Sequence, residues 1–354
     1  MSSLVECSVE IIRRNQSSSG AYVASPNFPT YQYCWFRDGS FIAHAMDLAG
    51  QSDSAAGFHA WAAKAVNARA DVVKHAVKKA RRGEPLTGAD VLHTRYTLDG
   101  RDSTGEAWPN FQLDGFGTWL WALGEHARLA GGKLPPGWLQ AAGLVADYLA
   151  ALWSQPCYDC WEEFPDKLHT HTLAAIYGGL QAYSQMADTD LAPVLAAIRQ
   201  FIFDHQKLEG RFVKYAGSTA VDASLLGLAT PYRVLEPGGP MMRATLARIE
   251  AELECGGGLH RYAADTYYGG GEWVLLTAWL AWHYAELGRA AEAQAALAWV
   301  EAQADDQGQL PEQVPANLND PSYLRPWQDR WGPSANPLLW SHAQYLIAAV
   351  HRKA

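Results

Sequence analysis

The chain lacks any run of about 18 predominantly apolar residues, which argues against a helical membrane span. The helical-looking uncharged stretch 168–187 carries two histidines and several hydroxyl and amide side chains. It also lacks a surplus of positive charge. Lys+Arg is 28 against Asp+Glu 37, a formal net charge of −9, so no nucleic-acid partner held by basic residues is expected. Charged residues are only 18%, but hydrophobic residues reach 49%, which is the balance of a globular chain. Cysteine is scarce and odd in number at 5, and no N-terminal stretch has the form of a secretory signal. These features predict free thiols, a reducing compartment and a cytoplasmic location.

Several chemistries have no motif to carry them. There is no Gly-x-Ser-x-Gly elbow, no Walker loop and no dinucleotide-binding glycine pattern, so no cofactor is expected. Cys157-Tyr-Asp-Cys160 has redox spacing without a surrounding βαβ pattern, and whether the two are bonded is left open. His169-Thr-His171 points its two rings to different helix faces, so no metal site is expected. Gly256-Gly-Gly258 and Gly269-Gly-Gly271 read as loop hinges.

Aromatic residues are abundant: Trp 15, Tyr 16 and Phe 10. Apolar residues recur at three- and four-residue intervals, the helical period. That period predicts an all-α chain of about twelve helices, near 3–14, 39–49, 52–82, 114–130, 136–154, 169–187, 189–207, 219–229, 240–254, 272–287, 289–304 and 336–352. The third stretch is long enough to be broken. Only 210–215 reads as strand, at the edge of a hairpin.

The connections alternate in length. Those near 15–38, 83–113, 155–168, 208–218, 255–271 and 305–335 are long; most of the others are short. Antiparallel helices joined this way place every long link at one end. Six such pairs closing into a ring give an (α/α)6 barrel, expected here as a single catalytic domain over 1–354. Long loops in compact domains usually carry function, and these hold Tyr31, Tyr33, Trp35, Phe36, Trp108, Phe111, Trp161, Phe164, Tyr262, Tyr267, Tyr268, Tyr323, Trp327 and Trp331. Rings interleaved with charges predict the wall of a pocket.

Within those loops, polar residues cluster beside the rings. Arg37-Asp38 follows Tyr31, Tyr33, Trp35 and Phe36, where Asp38 can cap the next helix or pair with Arg37. Trp108 and Gln112 precede Asp114, a candidate helix N-cap. Glu162 and Glu163 follow Trp161, and an apolar wall raises a carboxyl pKa and so favours a general acid. Glu312 lies in the last long loop, so the barrel brings it to the same mouth as Glu162. Paired carboxyl groups across a pocket are what glycoside hydrolysis requires. Arg261-Tyr262 and Tyr267 precede the tenth helix, and Trp340-Ser-His-Ala opens the last.

In order along the chain, these segments read Y-x-Y-x-W-x-R-D, W-x-x-x-Q-x-D-G, W-E-E, R-Y, P-E-Q and L-x-W-S-H-A. Together they resemble glycoside hydrolase family 15, the glucoamylase-like exo-acting α-glucosidases, from Tyr31 to about Ala348. The resemblance implies an (α/α)6 barrel and an inverting mechanism with Glu162 as general acid and Glu312 as general base. It implies that Tyr31 stands near the attacking water and that Tyr267 helps orient it. Arg37 and Asp38 would grip hydroxyls of the terminal sugar. Trp35, Trp108, Gln112 and Trp340 would line or support its pocket, and Glu163 and Arg261 would contact the next sugar. The thiol of Cys160 would be structural, because it is the backbone there that faces the sugar.

The sequence departs from fungal relatives at Pro109-Asn-Phe111 and at Glu272, expected near the mouth where the leaving sugar binds. Neither a preceding β-sandwich domain nor a starch-binding module is expected. These features favour a short oligosaccharide, isomaltose-like α-1,6 or maltose-like α-1,4. An inverting α,α-trehalase fits the same motifs. A non-catalytic sugar-binding protein on this scaffold fits less well, because both glutamates are kept. Oligomeric state is not legible.

Overall fold

The computed structural model describes residues 3–103 and 107–352. Thirteen α-helices lie among them: α1 (Leu4–Arg14), α2 (Phe36–Leu48), α3 (Ser52–Asn67), α4 (Ala70–Arg81), α5 (Asp114–Leu129), α6 (Pro136–Leu152), α7 (Thr170–Ala187), α8 (Ala192–His205), α9 (Pro240–Leu253), α10 (Val274–Glu286), α11 (Ala290–Ala302), α12 (Leu324–Trp331) and α13 (Leu339–His351). A 3-10 helix, Ala223–Leu228, stands between α8 and α9. The first helix starts on a capping box: Ser3 and Glu6 each accept from the other's backbone N–H, satisfying amides that have no partner inside the helix.

The segments α2, α5, α7, the 3-10 helix, α10 and α13 pack side by side in that order, and α13 closes on α2. Outside them α3, α6, α8, α9, α11 and α1 cover the ring. This is the (α/α)6 barrel expected from the link lengths. Burial separates the two layers. Every residue of α2 from Phe36 to Asp47 and of α10 from Val274 to Tyr284 is buried, as a helix surrounded by protein requires. The outer helix α8 buries only Ile198 and Ile202. Two inner helices come unusually close because glycines meet. A Cβ on Gly117 of α5 would stand 2.4 Å from the Ala175 carbonyl oxygen of α7, and one on Gly179 2.3 Å from the Gly117 oxygen.

All six long links lead from an outer element into the N-terminal end of an inner one, so they share one mouth. Short antiparallel ribbons splint them. β1 (Cys34–Trp35) pairs with β2 (Arg95–Tyr96), tying the first link to the second. The hairpin of β3 (Lys207–Leu208) and β4 (Arg211–Phe212) turns through Glu209 and Gly210, both at positive φ. β5 (Glu254–Cys255) pairs with β6 (Gly258–Leu259), and β7 (Glu272–Trp273) with β8 (Gln313–Val314), tying the fifth link to the sixth.

Several boundaries differ from the sequence reading. The second helix begins at Phe36, three residues early, so Arg37 and Asp38 sit in its first turn. The 52–82 stretch breaks at 68–69 into α3 and α4. The 219–229 stretch forms the 3-10 helix, and α12 lies inside the last link, where no helix was expected. The glycine triplets are close-packed positions rather than hinges. A Cβ on Gly258 would stand 2.5 Å from the Trp299 ring, and one on Gly270, at φ +69°, 2.1 Å from the Asp265 carbonyl oxygen. No helix among the described residues is long and apolar enough to cross a membrane.

Candidate active site

A cavity of about 430 Å³ opens at the mouth. Its base is the first turn of α2 against α13. Arg37 Nη1 donates to Gln112 Oε1 at 3.0 Å and to Asp114 Oδ2 at 3.3 Å, and Nε lies 3.4 Å from Asp38 Oδ2. Trp340 lies beneath the Arg37 guanidinium, 5.4 Å from ring centroid to Cζ, and stacks on the fully buried Phe41. Asp38 is not the N-cap of its helix: Trp35 holds that position, and Asp38 sits in the first turn. Burial pushes its carboxyl up to about 6, opposed by Arg37. Asp114 is not an N-cap either: Leu113 occupies that position, and the Asp114 carboxylate is used by Arg37.

Glu162 forms one wall from the 153–169 link. Its backbone is left-handed, at φ 68°, a conformation most side chains avoid. Its Oε1 accepts from Trp35 Nε1 at 2.8 Å and from Gln112 Nε2 at 3.0 Å. Gln112 therefore stands behind the cavity and couples Glu162 to Arg37. Trp108 packs edge-on to Trp35 and sits over Arg95. Next to Glu162, Glu163 accepts from Tyr262 OH at 2.6 Å and lies 3.5 Å from Arg261 Nη2. Arg261 is held in turn by both carboxylate oxygens of Asp265. Burial raises the Glu163 pKa, with Arg261 and the Tyr262 hydrogen bond opposing it.

Glu312 enters from the last link and is 3% exposed. The barrel fixes its backbone: its N–H donates to Ala335 O at 2.9 Å, and its carbonyl accepts from Val274 N at 3.1 Å. Oε1 accepts from Tyr31 OH at 3.1 Å, and that hydroxyl shares a 3.0 Å hydrogen bond with Tyr267 OH. Oε2 has no hydrogen-bond partner among the described residues. Burial pushes the Glu312 carboxyl up to about 8, opposed by the charge of Arg261 and the bond from Tyr31.

Eleven of the twelve residues singled out from the sequence line this one cavity, and the twelfth, Gln112, is bonded to two of them. About half of the loop aromatics do so: Tyr31, Trp35, Trp108, Trp161, Tyr267, Trp327 and Trp331. Phe36 is instead core, and Phe164 and Tyr323 are exposed. Trp327, Arg330 and Trp331 come from α12, and their spacing along one helix face was the overlooked signal for it. Pro109 lines the cavity, but Glu272 does not: it is buried behind the wall, accepting from Asn317 Nδ2 at 3.0 Å. His169 and His171 bond separately to the Phe164 and Ser224 carbonyls. Cys157 and Cys160 are buried and free. The sequence reading missed the buried Lys214 and Asp222, which stand behind the Glu162 loop.

Comparison with known proteins agrees with this geometry. The profile of Glycosyl hydrolases family 15 matches residues 3–306. Isomaltose glucohydrolase of Kribbella flavida is 41% identical over 347 residues, covering 96% of this chain and 90% of its own. A glycosidase variant with alanine in place of a glutamate, solved in complex with glucose, superposes with a TM-score of 0.94 at 40% identity, covering 99% of this chain and 96% of that one. A bacterial glucoamylase solved with acarbose shares the fold at a TM-score of 0.78 and 20% identity, over 99% of this chain and 55% of that one. Barrel, mouth and extent of match all lead to one assignment: the chain is an enzyme belonging to glycoside hydrolase family 15.

Proposed function

We propose that the chain is an inverting, exo-acting α-glucosidase that releases β-glucose from the non-reducing end of short α-glucosides. One observation carries the reading: Glu162 and Glu312, 150 residues apart, face one cavity from different links, each held by its own donors. Glu162 gives its proton to the glycosidic oxygen as the C1–O bond breaks. Water attacks C1 from the opposite face and passes its proton to Glu312. Room for that water requires the two carboxyl groups to stand about 6.5–9.5 Å apart. Glu312 must be ionised to act, and Arg261 and Tyr31, which oppose the effect of its burial, favour that form. The Tyr31–Tyr267 pair beside it orients the water. Arg37 and Asp38 grip the terminal sugar over Trp340, and Trp35 and Trp108 wall it. Glu163 and Arg261 meet the leaving sugar.

The short-substrate preference follows from the size of the cavity and from α12, whose Trp327 and Trp331 stand at its edge. Likeness to the Kribbella flavida enzyme favours isomaltose and its α-1,6 bond. The whole barrel serves as one catalytic domain, and its free cysteines fit a cytoplasmic place of work. The test is NMR analysis of the first-formed glucose anomer from isomaltose, maltose and trehalose. β-Glucose from isomaltose is the expected result. α-Glucose first would refute inversion, and cleavage of trehalose alone would replace the substrate assignment.

A further inference from the structure

Behind the Glu162 loop lies a buried charge cluster whose members do not themselves line the cavity. Lys214 Nζ is 2.5 Å from Asp222 Oδ2 and 3.1 Å from Asp159 Oδ2, and all three side chains are at most 5% exposed. Asp159 Oδ1 accepts the backbone N–H groups of Trp161 at 3.0 Å and Glu163 at 2.8 Å, the two residues flanking Glu162. The Glu162 N–H itself donates to the Asp159 carbonyl at 2.9 Å. Asp222 accepts from the Trp161 indole N–H at 3.0 Å and caps the 3-10 helix through the Ser224 N–H. The ammonium also lies 4.0 Å from the centroid of the Tyr262 ring, whose hydroxyl bonds Glu163. One lysine therefore joins the third, fourth and fifth links at the point where Glu162 adopts its left-handed backbone.

We infer that Lys214 is a positioning residue for the reaction: by holding Asp159 and Asp222 together it fixes the backbone turn that aims Glu162 at the substrate. Without the ammonium, two buried aspartates lose the cation they share, and only the His169 ring, 4.0 Å from Asp159, remains near. One must take a proton or move, and Asp159 then no longer holds both flanking amides with full charge. A backbone conformation unfavourable to glutamate relaxes when its tethers weaken. The inference rests on the reading of Glu162 as the acid, so its test needs a readout independent of that role.

The experiment compares Lys214→Met, Lys214→Arg and Glu162→Gln in the full chain. It measures kcat and KM on the disaccharide that the unaltered enzyme cleaves best, and hydrogen exchange over residues 157–165. Lys214→Met is expected to lower kcat by about tenfold or more, as small misplacements of catalytic groups do, with KM within about threefold. Exchange rises at the Trp161 and Glu163 amides while the inner helices stay protected, and Lys214→Arg restores part of both. Unchanged kcat or unchanged exchange in a folded Lys214→Met enzyme overturns the inference. Should that variant fail to fold, Asp222→Asn gives the same two readouts, expected smaller in size and equally decisive if absent. Activity surviving in Glu162→Gln would remove the acid assignment, and the exchange data would still judge the brace.

Discussion

Tyr31→Phe deletes one hydroxyl and leaves the ring packed against Phe28 and Trp35. The lost group donates to Glu312 Oε1 at 3.1 Å, a bond that favours the ionised carboxylate. Hydrogen bonds to buried charged groups contribute about 1.5–3 kcal/mol, and one pKa unit corresponds to about 1.4 kcal/mol. The Glu312 pKa, already pushed up to about 8, should therefore rise by about one to two units. Below that value, each unit of rise cuts the ionised fraction of Glu312 about tenfold. Because the ionised form is the base of the proposed mechanism, kcat/KM at pH 7 should fall by about tenfold or more. The limb of the pH profile governed by Glu312 should move to higher pH, with activity partly recovered by raising the pH. The assay is kcat/KM on isomaltose from about pH 4 to about pH 10. A limb that stays in place, or moves to lower pH, would refute the idea that Tyr31 holds the charge on Glu312.

Other outcomes follow from the same geometry. Glu162→Gln and Glu312→Gln should each keep the circular dichroism spectrum and melting temperature of the fold while turnover falls by about 10²–10⁴; near-normal turnover removes that residue from its role. Arg37→Lys loses the planar fork that reaches Gln112, Asp114 and Asp38 together, and should lower kcat/KM by about tenfold or more; an unchanged value shows that charge alone suffices. Gly270→Ala sets a Cβ against the Asp265 carbonyl at positive φ and should cost about 1–3 kcal/mol, read as a lowered denaturation midpoint. Burial lowers the pKa of His44 and His342 to about 3 and of His283 to about 4. The unfolded chain thus binds these protons first. The histidines' share of the stability should be full above about pH 6.5 and fall as the pH drops towards 4, by up to about 1.4 kcal/mol per unit for each, outweighing the opposite contribution of the raised carboxyls of Asp38 and Glu312. Urea unfolding across that range checks the slope, and a flat dependence contradicts it.

The barrel was legible because its links alternate in length, a property of the chain that survives errors in helix boundaries. What misled was local. Trp35-Phe36-Arg37 looks like loop because its aromatics and charges break the helical period, yet α2 starts there: inside a ring every face is buried, so no polar stripe is needed. α12 is eight residues long, and Pro326 in its first turn with charges at Arg325, Asp329 and Arg330 masks the i, i+4 spacing of Trp327 and Trp331 that marks it. Candidate site residues stood out where the residue pairing is rare, as in Trp161-Glu162-Glu163. Lys214 and Asp222 did not, since a charge in a loop reads as solvated until the fold buries it. Asp114 shows the opposite error: a residue typical of helix starts serves instead as a partner for Arg37.

Every long link delivers the chain to the amino end of an inner helix, so the pocket looks onto aligned peptide dipoles that place partial positive charge there. On the proposed mechanism, positive charge also builds on the sugar as its bond breaks, and the architecture alone would resist it. Acidic side chains at those same ends oppose the dipoles: Asp38 in the first turn of α2, Asp114 at the first residue of α5, then Glu162, Glu163 and Glu312 around them. On that reading the carboxylates are as much a correction to the field of the barrel as they are reagents. An acid such as Asp114, which meets Arg37 rather than the cavity, would still shape the barrier through the potential it sets.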